Sequence, residues 1–368
     1  MRNELLTHRQ IYKLLAMFLI GSAAILGGRS EVAQDSWIAL LLGAAYSVPA
    51  LLILSRLNHL FPQTGFFELT ETLLGKVGGK VVTALMAWYC LHLGAMVLRN
   101  FSEFVAVCVM PETPHIPIML MVMLAVIYLT RSGLETMGKW SLVMFPVLMV
   151  MLALTFVLSL NMLETDRILP IMSHEFGEIA SNAYMFASFP FLETVVFFCA
   201  FQGALEPRKP YAPVFVGFLV SLLALGTIDV RNTMLLGGHT VDAIYFPSYI
   251  AVKVIHVGDI VSRLEGSLSM NYVIGGVAKI SICLLGAAKG LKSLFNLRAH
   301  HPLILPLGLM MSGLCTTLYE NVTYQYDFLE PYQIYAVLFQ IIIPVLLWIL
   351  AEVKAKKLKA GQGAQSGA

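Results

Sequence analysis

The sequence is poor in charged residues. Asp, Glu, Lys and Arg make up 12% of its 368 residues, about half of the ~25% found in an ordinary soluble domain. Apolar residues make up 58%, and the mean hydropathy is +0.78. This composition excludes a water-soluble enzyme and a disordered chain. Lys and Arg together number 24 against 22 Asp and Glu, so no basic surface and no nucleic-acid partner are predicted.

The spacing patterns of metal and redox sites are also missing. The cysteines form no CxxC pair and lie in or next to apolar runs, so they are predicted to be buried packing thiols rather than a disulfide framework. They are Cys90, Cys108, Cys199, Cys283 and Cys315. The histidines show no HExxH spacing. The sequence predicts no metal and no cofactor, and without a nucleophile–base constellation it predicts no enzyme.

What the sequence has instead is a series of long apolar runs bounded by charges, Gly and Pro. A membrane-crossing helix needs ~20 mostly apolar residues. We therefore predict an all-α, polytopic membrane protein with ten transmembrane helices. Residues 1–353 are predicted to form one transmembrane domain, and residues 354–368 a basic, disordered cytoplasmic tail. The predicted spans are 11–28, 37–54, 81–108, 117–130, 140–160, 179–201, 211–228, 268–288, 302–319 and 333–350.

The distribution of Lys and Arg predicts the orientation of these spans, because cytoplasmic loops are enriched in both residues. With the N-terminus in the cytoplasm, most of the 24 basic residues lie in cytoplasmic segments. Arg99 and Lys279 lie inside spans. The basic residues predicted outside are Arg29, Arg167, Arg231, Lys253 and Arg263. The count supports ten spans with both termini in the cytoplasm, in a cell membrane.

Ten spans divide into two repeats of five, 11–160 and 179–350, and an odd number per repeat gives them opposite orientations. In transporters of this kind, the first helix of each repeat is interrupted near the bilayer centre. The first span contains Gly21, Ser22 and Ala23, and the sixth contains Ser188, Phe189, Pro190 and Phe191. Small residues also allow close helix packing. As a pair at matching positions, however, the two segments predict broken helices and a binding site between them.

A broken helix presents free N–H groups at one end and free C=O groups at the other. The N–H end attracts a carboxylate, and the carbonyl end attracts an ammonium group or a small cation. A zwitterionic amino acid matches both ends. The predicted ligand is therefore a small zwitterion.

Several ionisable residues lie at membrane depth, where each costs ~2.5–3.5 kcal/mol on the insertion scale. Arg99 and Glu103 are spaced i, i+4 on one helix face, and Glu193 follows Pro190 by three residues. For these three residues, a structural ion pair and a role in coupling both remain open. Lys279 lies near the middle of the eighth span, where it is predicted to contact a carboxylate such as Glu193, unwound carbonyls or the ligand, or to replace a bound cation. Before that span, Arg263 and Glu265 are expected to anchor the helix at the interface.

Taken together, these motifs resemble one known family over essentially the whole chain. The first motif is Gly21 with Arg29 after the first span, and the second is Arg99 and Glu103 with Tyr89 ten residues before Arg99. The others are residues 188–193, and Asp259 with Arg263 and Glu265. The chain resembles the spore germination permeases, the polytopic B subunits of bacterial germinant receptors in the amino acid–polyamine–organocation superfamily. Two positions depart from that pattern, because a neutral polar residue is expected at Lys279 and a glycine near Pro190.

The resemblance implies a LeuT-like fold in which helices 1, 2, 6 and 7 move against a scaffold of helices 3, 4, 8 and 9. It implies residence in the inner spore membrane, a receptor A subunit and a C-subunit lipoprotein as partners, and a small nutrient such as an amino acid as ligand. The implied pocket residues are Gly21, Ser22, Ala23, Tyr89, Ser188, Phe189, Pro190, Phe191, Lys279 and Cys283.

Two functions use the same cavity. A nutrient-sensing receptor subunit binds an amino acid and signals to its partners without net transport. A secondary transporter carries the amino acid together with a proton, with Lys279 or Glu193 as the proton site. The sequence leaves both open.

Overall fold

A computed structural model describes residues 5–26, 30–205, 210–255 and 265–366. Over these residues the chain is almost entirely helical, and an isolated bridge joins Leu6 to Leu205. The helices are α1 (His8–Leu26), α2 (Ser36–Leu60), α3 (Phe66–Phe104), α4 (His115–Arg131), α5 (Leu134–Ser159), α6 (Phe176–Ser188), α7 (Thr194–Phe201), α8 (Ala212–Leu236), α9 (Gly238–Ala243), α10 (Pro247–Lys253), α11 (Glu265–Leu294), α12 (His301–Thr317), α13 (Val322–Asp327), α14 (Leu329–Val337) and α15 (Ile343–Ser366).

Seven helical segments of the described chain are long and apolar enough to cross a membrane. The helices α4 and α12 are apolar but shorter, and α1 has 19 residues with Arg9 and Lys13 in its first half. Each predicted span overlaps at least one of these helices over its described residues. What the described residues establish is an all-helical chain of the multi-pass membrane type.

Helix α11 lies at the centre of the helix packing, where it contacts α1, α3, α4, α5, α7 and α12. Small residues permit this, since Ala278, Ala287 and Ala288 are buried and Gly275 packs directly on Gly21 of α1. Without a hydrophobic driving force between helices in lipid, close approach of small residues is what holds such helices together. Helix α1 is likewise buried along most of its length.

Helices α3 and α8 are among those that extend beyond the predicted boundaries. Helix α3 includes the amphipathic segment 66–80, with a change of direction at Gly75, whose φ of 75° suits glycine. Helix α8 continues to Leu236, so Arg231, predicted to lie in an outside loop, is buried inside a helix. Its guanidinium donates to Thr155 at 3.0 Å and to Asn232 at 2.8 Å, which offsets the cost of burying the charge.

The C-terminal segment differs from its prediction. The sequence predicts a disordered tail from residue 354, whereas α15 continues to Ser366. The physical reason is composition, because Ala, Lys and Leu between residues 354 and 360 are strong helix formers and no proline stops the helix. On the same helix, Glu352 accepts from Arg56 of α2 at 2.7 Å and 3.3 Å.

Candidate functional site

The sixth predicted span is broken, as its sequence indicates. Helix α6 ends at Ser188, Phe189 is extended with φ −136° and ψ 114°, and a 3-10 turn at Phe191–Glu193 leads into α7. Pro190 explains the break, because it has no N–H to donate and it excludes helical geometry at the residue before it. The carbonyl end of α6 and the N–H end of α7 thus meet inside the protein.

A buried ion pair lies beside this break. The Lys279 ammonium Nζ is 2.5 Å from Glu193 Oε2 and donates to Ser22 Oγ at 3.0 Å. Both charged side chains are 0% exposed. The rings of Phe18 and Phe189 face the ammonium, with centroids 5.3 Å and 4.7 Å from Nζ. The aromatic faces add cation–π attraction, and the pair ties α1, the break and α11 together.

The second oxygen of Glu193 ends a chain of hydrogen bonds. Tyr332 donates its hydroxyl to Glu193 Oε1 at 2.9 Å, and the Tyr89 hydroxyl lies 2.9 Å from that of Tyr332. Because a hydroxyl carries one proton, Tyr89 is the donor of that second bond. Gln340 Nε2 in turn donates to Tyr89 at 2.8 Å. The bonds therefore run in one direction, from Gln340 through the two tyrosines to the carboxylate.

Gln340 also satisfies the end of α6. Its Nε2 donates to the Ser188 carbonyl at 2.8 Å, and its Oε1 accepts from Ser188 Oγ at 3.3 Å. Gln340 lies in a π-helical turn, Leu338–Ile342, between α14 and α15. Such turns often occur at functional sites. The amide thereby links the helix break to the tenth predicted span.

Tyr332, Gln340 and Phe18 are members of this cluster that the sequence analysis missed. Each lies in or beside an apolar run, where aromatic residues usually pack. The available signal was Gln340, a polar side chain in the middle of a predicted span. It is 0% exposed.

The first predicted span is not broken as expected. Helix α1 is continuous from His8 to Leu26, and residues 27–29 lie outside the described residues. Gly21 serves close packing instead, since a Cβ there would lie 2.7 Å from the Gly275 carbonyl oxygen and 3.4 Å from Lys279 Cβ. The small residue thus brings Ser22 within reach of Lys279.

The remaining predicted pocket residues divide into two groups. Ala23, Phe189 and Pro190 line a cavity described below. Phe191 packs against Phe218 of α8, with ring centroids 5.1 Å apart. Cys283 is buried and faces α3, where a Cβ on Gly94 would lie 3.0 Å from its own Cβ.

Of the predicted coupling residues, Arg99 and Glu103 pair with each other at 2.5 Å. Arg99 lines a separate open cavity of about 880 Å³ with His92 and His115. Arg99 also donates to the Glu320 carbonyl at 3.4 Å, and no hydrogen bond or ion pair among the described residues joins this pair to Lys279 or Glu193. Arg263 and the side chain of Glu265 lie outside the described residues.

A cavity of about 670 Å³ opens between α1, α2, α6, α8 and α14. We call it the acidic cavity, because five carboxyl side chains line it. They are Glu31, Asp229, Asp242, Asp327 and Glu330. Phe189 and Tyr332 line this cavity and also contact the ion pair, so they lie between the two.

Comparison with known proteins shows the family. The family model described as spore germination protein matches residues 5–323. The chain belongs to the spore germination permease family. Spore germination protein KB of Bacillus subtilis (strain 168) is 23% identical over 371 residues, covering 100% of each chain. Spore germination protein YndE of the same organism is 23% identical over 267 residues, covering 71% of this chain and 72% of its own.

For this member of the family, Tyr332 offers a test of the hydrogen-bond chain. Replacing Tyr332 by Phe is expected to lower the free energy of unfolding by about 1–2 kcal/mol, because Glu193 and Tyr89 each lose a partner. The measurement is thermal unfolding in detergent, followed by a thiol-reactive dye that reports exposure of the buried free cysteines. Tyr272, also buried, has a hydroxyl without a hydrogen-bond partner among the described residues. Tyr272→Phe is therefore the control and is expected to change little; equal losses in both variants contradict the chain.

Proposed function

We propose that this chain is the nutrient-sensing subunit of a spore germinant receptor and that it binds a small zwitterion, such as an amino acid, at the break between α6 and α7. The family supports the germination role. The observation that carries the ligand class is the buried contact between Lys279 and Glu193. We assign no catalytic reaction to this chain, because its family is of the permease type.

A zwitterion complements both members of the pair. Its carboxylate takes the place of Glu193 beside the Lys279 ammonium, and its own ammonium takes the place of Lys279 beside Glu193. Two ion pairs then replace one, so neither buried charge is left without a partner. The helix ends at the break add N–H and C=O groups of matching sign.

The path to the pair runs through the acidic cavity. Phe189 and Tyr332 separate the two, and Phe189 belongs to the extended link that joins α6 to the following 3-10 turn. Rotation at this link moves the ring off the ammonium and shifts the end of α6 that leads into it. Binding is therefore coupled to the position of α6, which packs on α2 and α14.

The proposed architecture is LeuT-like, with ten spans in two inverted repeats. The described packing supports the division into a moving bundle and a scaffold. Helix α2 packs on α6 and α8, and α1 packs on α8, whereas α3 and α4 pack on α11 and α12. Helices α1 and α7 also pack on α11, so these contacts join the two groups. The Lys279 contacts to Ser22 and Glu193 then lie at the boundary between the two groups.

We further propose that both termini are cytoplasmic and that the chain resides in the inner spore membrane. Its partners there are a receptor A subunit and a C-subunit lipoprotein. In a receptor of this type, the change in α6 is transmitted to the partner subunits rather than used for transport.

A second candidate is a proton-coupled amino-acid transporter. The observation that favours it is the directed chain from Gln340 through Tyr89 and Tyr332 to Glu193. A run of hydrogen-bonded hydroxyls that ends on a buried carboxylate is suited to moving a proton.

Proteoliposomes containing the purified protein separate the two candidates. A panel of labelled amino acids is tested for binding and for uptake, with and without an imposed proton gradient. The sensor predicts that some member binds without accumulating. Accumulation that a protonophore abolishes assigns the transporter instead, and absence of both binding and uptake for the whole panel contradicts an amino-acid ligand.

A further inference from the structure

Asp229 of α8 is a buried carboxylate that is only half satisfied. It is 1% exposed, and its Oδ1 accepts from Ser36 Oγ at 2.8 Å. Its Oδ2 has no hydrogen-bond partner among the described residues. Burying a carboxylate oxygen without a partner is costly, so this atom is suited to receive one.

Two other buried charged side chains nearby have hydrogen-bond partners for their polar atoms. Asp35 uses both oxygens, accepting from the backbone of Met172 at 2.7 Å and from Ser173 and the His174 ring at 2.9 Å and 3.0 Å. Arg231, two residues after Asp229 on the same helix, donates from three nitrogens to Thr155 and Asn232. Unlike these two neighbours, Asp229 leaves one of its polar atoms without a partner among the described residues.

Asp229 lines the acidic cavity, and its surroundings are of one sign. Four further carboxyl residues line this cavity, and no Lys or Arg is among the described residues that do. Clefts lined by one sign of charge concentrate ions of the opposite sign. The cavity therefore concentrates cationic groups.

The size and walls of the cavity favour an organic cation over a metal ion. Its volume of about 670 Å³ lies in the range of small-molecule sites, ~300–1,000 Å³. Aromatic side chains that attract alkylammonium groups line it, namely Tyr184, Phe186, Phe189, Tyr326 and Tyr332. No group of three or more His, Cys, Asp or Glu side chains in the described part of the chain is placed to hold a metal ion.

We propose that the acidic cavity is a second ligand site, in which Asp229 Oδ2 accepts hydrogen bonds from the primary ammonium of a small alkylamine or diamine. The ligand class differs from the zwitterion proposed at Lys279 and Glu193, because none of the described residues that line the cavity offers a Lys or Arg to a ligand carboxylate. The proposal does not rest on that function, since it requires no ligand at the ion pair.

The test is calorimetric titration of the full-length protein in detergent with 1,4-diaminobutane and with butylamine. Wild type is expected to bind both, and Asp229→Asn, which keeps the shape of the side chain and removes its charge, is expected to bind at least tenfold more weakly. Asp166→Asn removes a charge from an exposed turn outside the cavity and is expected to bind like wild type. The Asp229→Asn protein is expected to melt no lower than wild type, since it no longer buries an unpaired carboxylate.

Failure of wild type to bind either amine overturns the proposal. So does unchanged binding in Asp229→Asn, or equal heats from sodium and potassium chloride at the same concentration.

Discussion

Replacing Lys279 by Met is expected to lower the free energy of unfolding by about 3–5 kcal/mol, because it leaves the Glu193 charge buried without its counter-ion. Glu193→Gln is expected to be costly for the converse reason, since the ammonium then keeps only Ser22 and the rings of Phe18 and Phe189 as neighbours. Thermal unfolding in detergent, followed by exposure of the buried thiols, measures both variants.

The double variant, Lys279→Met with Glu193→Gln, separates stability from function. Replacing a buried ion pair by neutral groups of similar size is often neutral for stability, so the double variant is expected to recover most of the loss. Ligand binding is not expected to recover, because neither the carboxylate nor the ammonium of a zwitterion has its counter-charge. Recovery of binding in the double variant contradicts the proposed site.

Lys289 supplies the matched control. It lies ten residues further along α11, and its Nζ donates to the carbonyl of Ala200 at 2.6 Å, near the end of α7. A neutral carbonyl leaves no buried charge behind when the lysine is removed. Lys289→Met is therefore expected to cost about 1 kcal/mol, and a loss as large as that of Lys279→Met contradicts the account of the ion pair.

The parts of the fold that follow from local sequence were predictable. Apolar runs predicted where the long helices lie, because a bilayer-crossing helix must be apolar over its whole length. Pro190 located the break because its effect on the backbone is local. Lys279 and Glu193 were singled out because ionisable side chains at this depth need partners.

The parts that depend on contacts between distant segments were not predictable. From the sequence alone, Gly21 is compatible with a broken helix or with close helix packing. The position of Gly275 on α11 shows that it serves packing. Tyr332 and Gln340 are eight positions apart, and their common partners lie on α3 and at the break. Likewise, Asp229 is recognised as a candidate ligand-binding residue only from the acidic cavity that it lines.

The contact between Gly21 and Gly275 leads to a second strong expectation. Gly275→Ala is expected to lower the free energy of unfolding toward the upper end of about 1–3 kcal/mol, the usual cost of overpacking. The added Cβ would lie 2.7 Å from the Gly21 Cα, so backbone must shift because no flexible side chain is there to yield.

The adjacent residue is a control in the same turn of the same helix. A Cβ on Gly276 would meet only Phe101 Cδ2, at an ordinary 3.5 Å. Because Ala is the better helix former by about 1 kcal/mol, Gly276→Ala is expected to leave stability unchanged or to raise it. Thermal unfolding of the two variants side by side compares one methyl group at neighbouring positions.

Ligand binding by the same two variants, Gly275→Ala and Gly276→Ala, tests whether this packing also matters for function. Lys279 lies one turn after Gly275, so separating α1 from α11 lengthens the 3.0 Å bond from Lys279 to Ser22 and loosens the alignment of the ammonium on Glu193. Gly275→Ala is therefore expected to weaken ligand binding even at temperatures where the protein stays folded, whereas Gly276→Ala binds like wild type. If Gly275→Ala destabilises the protein but binds normally, the glycine contact serves the fold alone, and Ser22 has no part in the site.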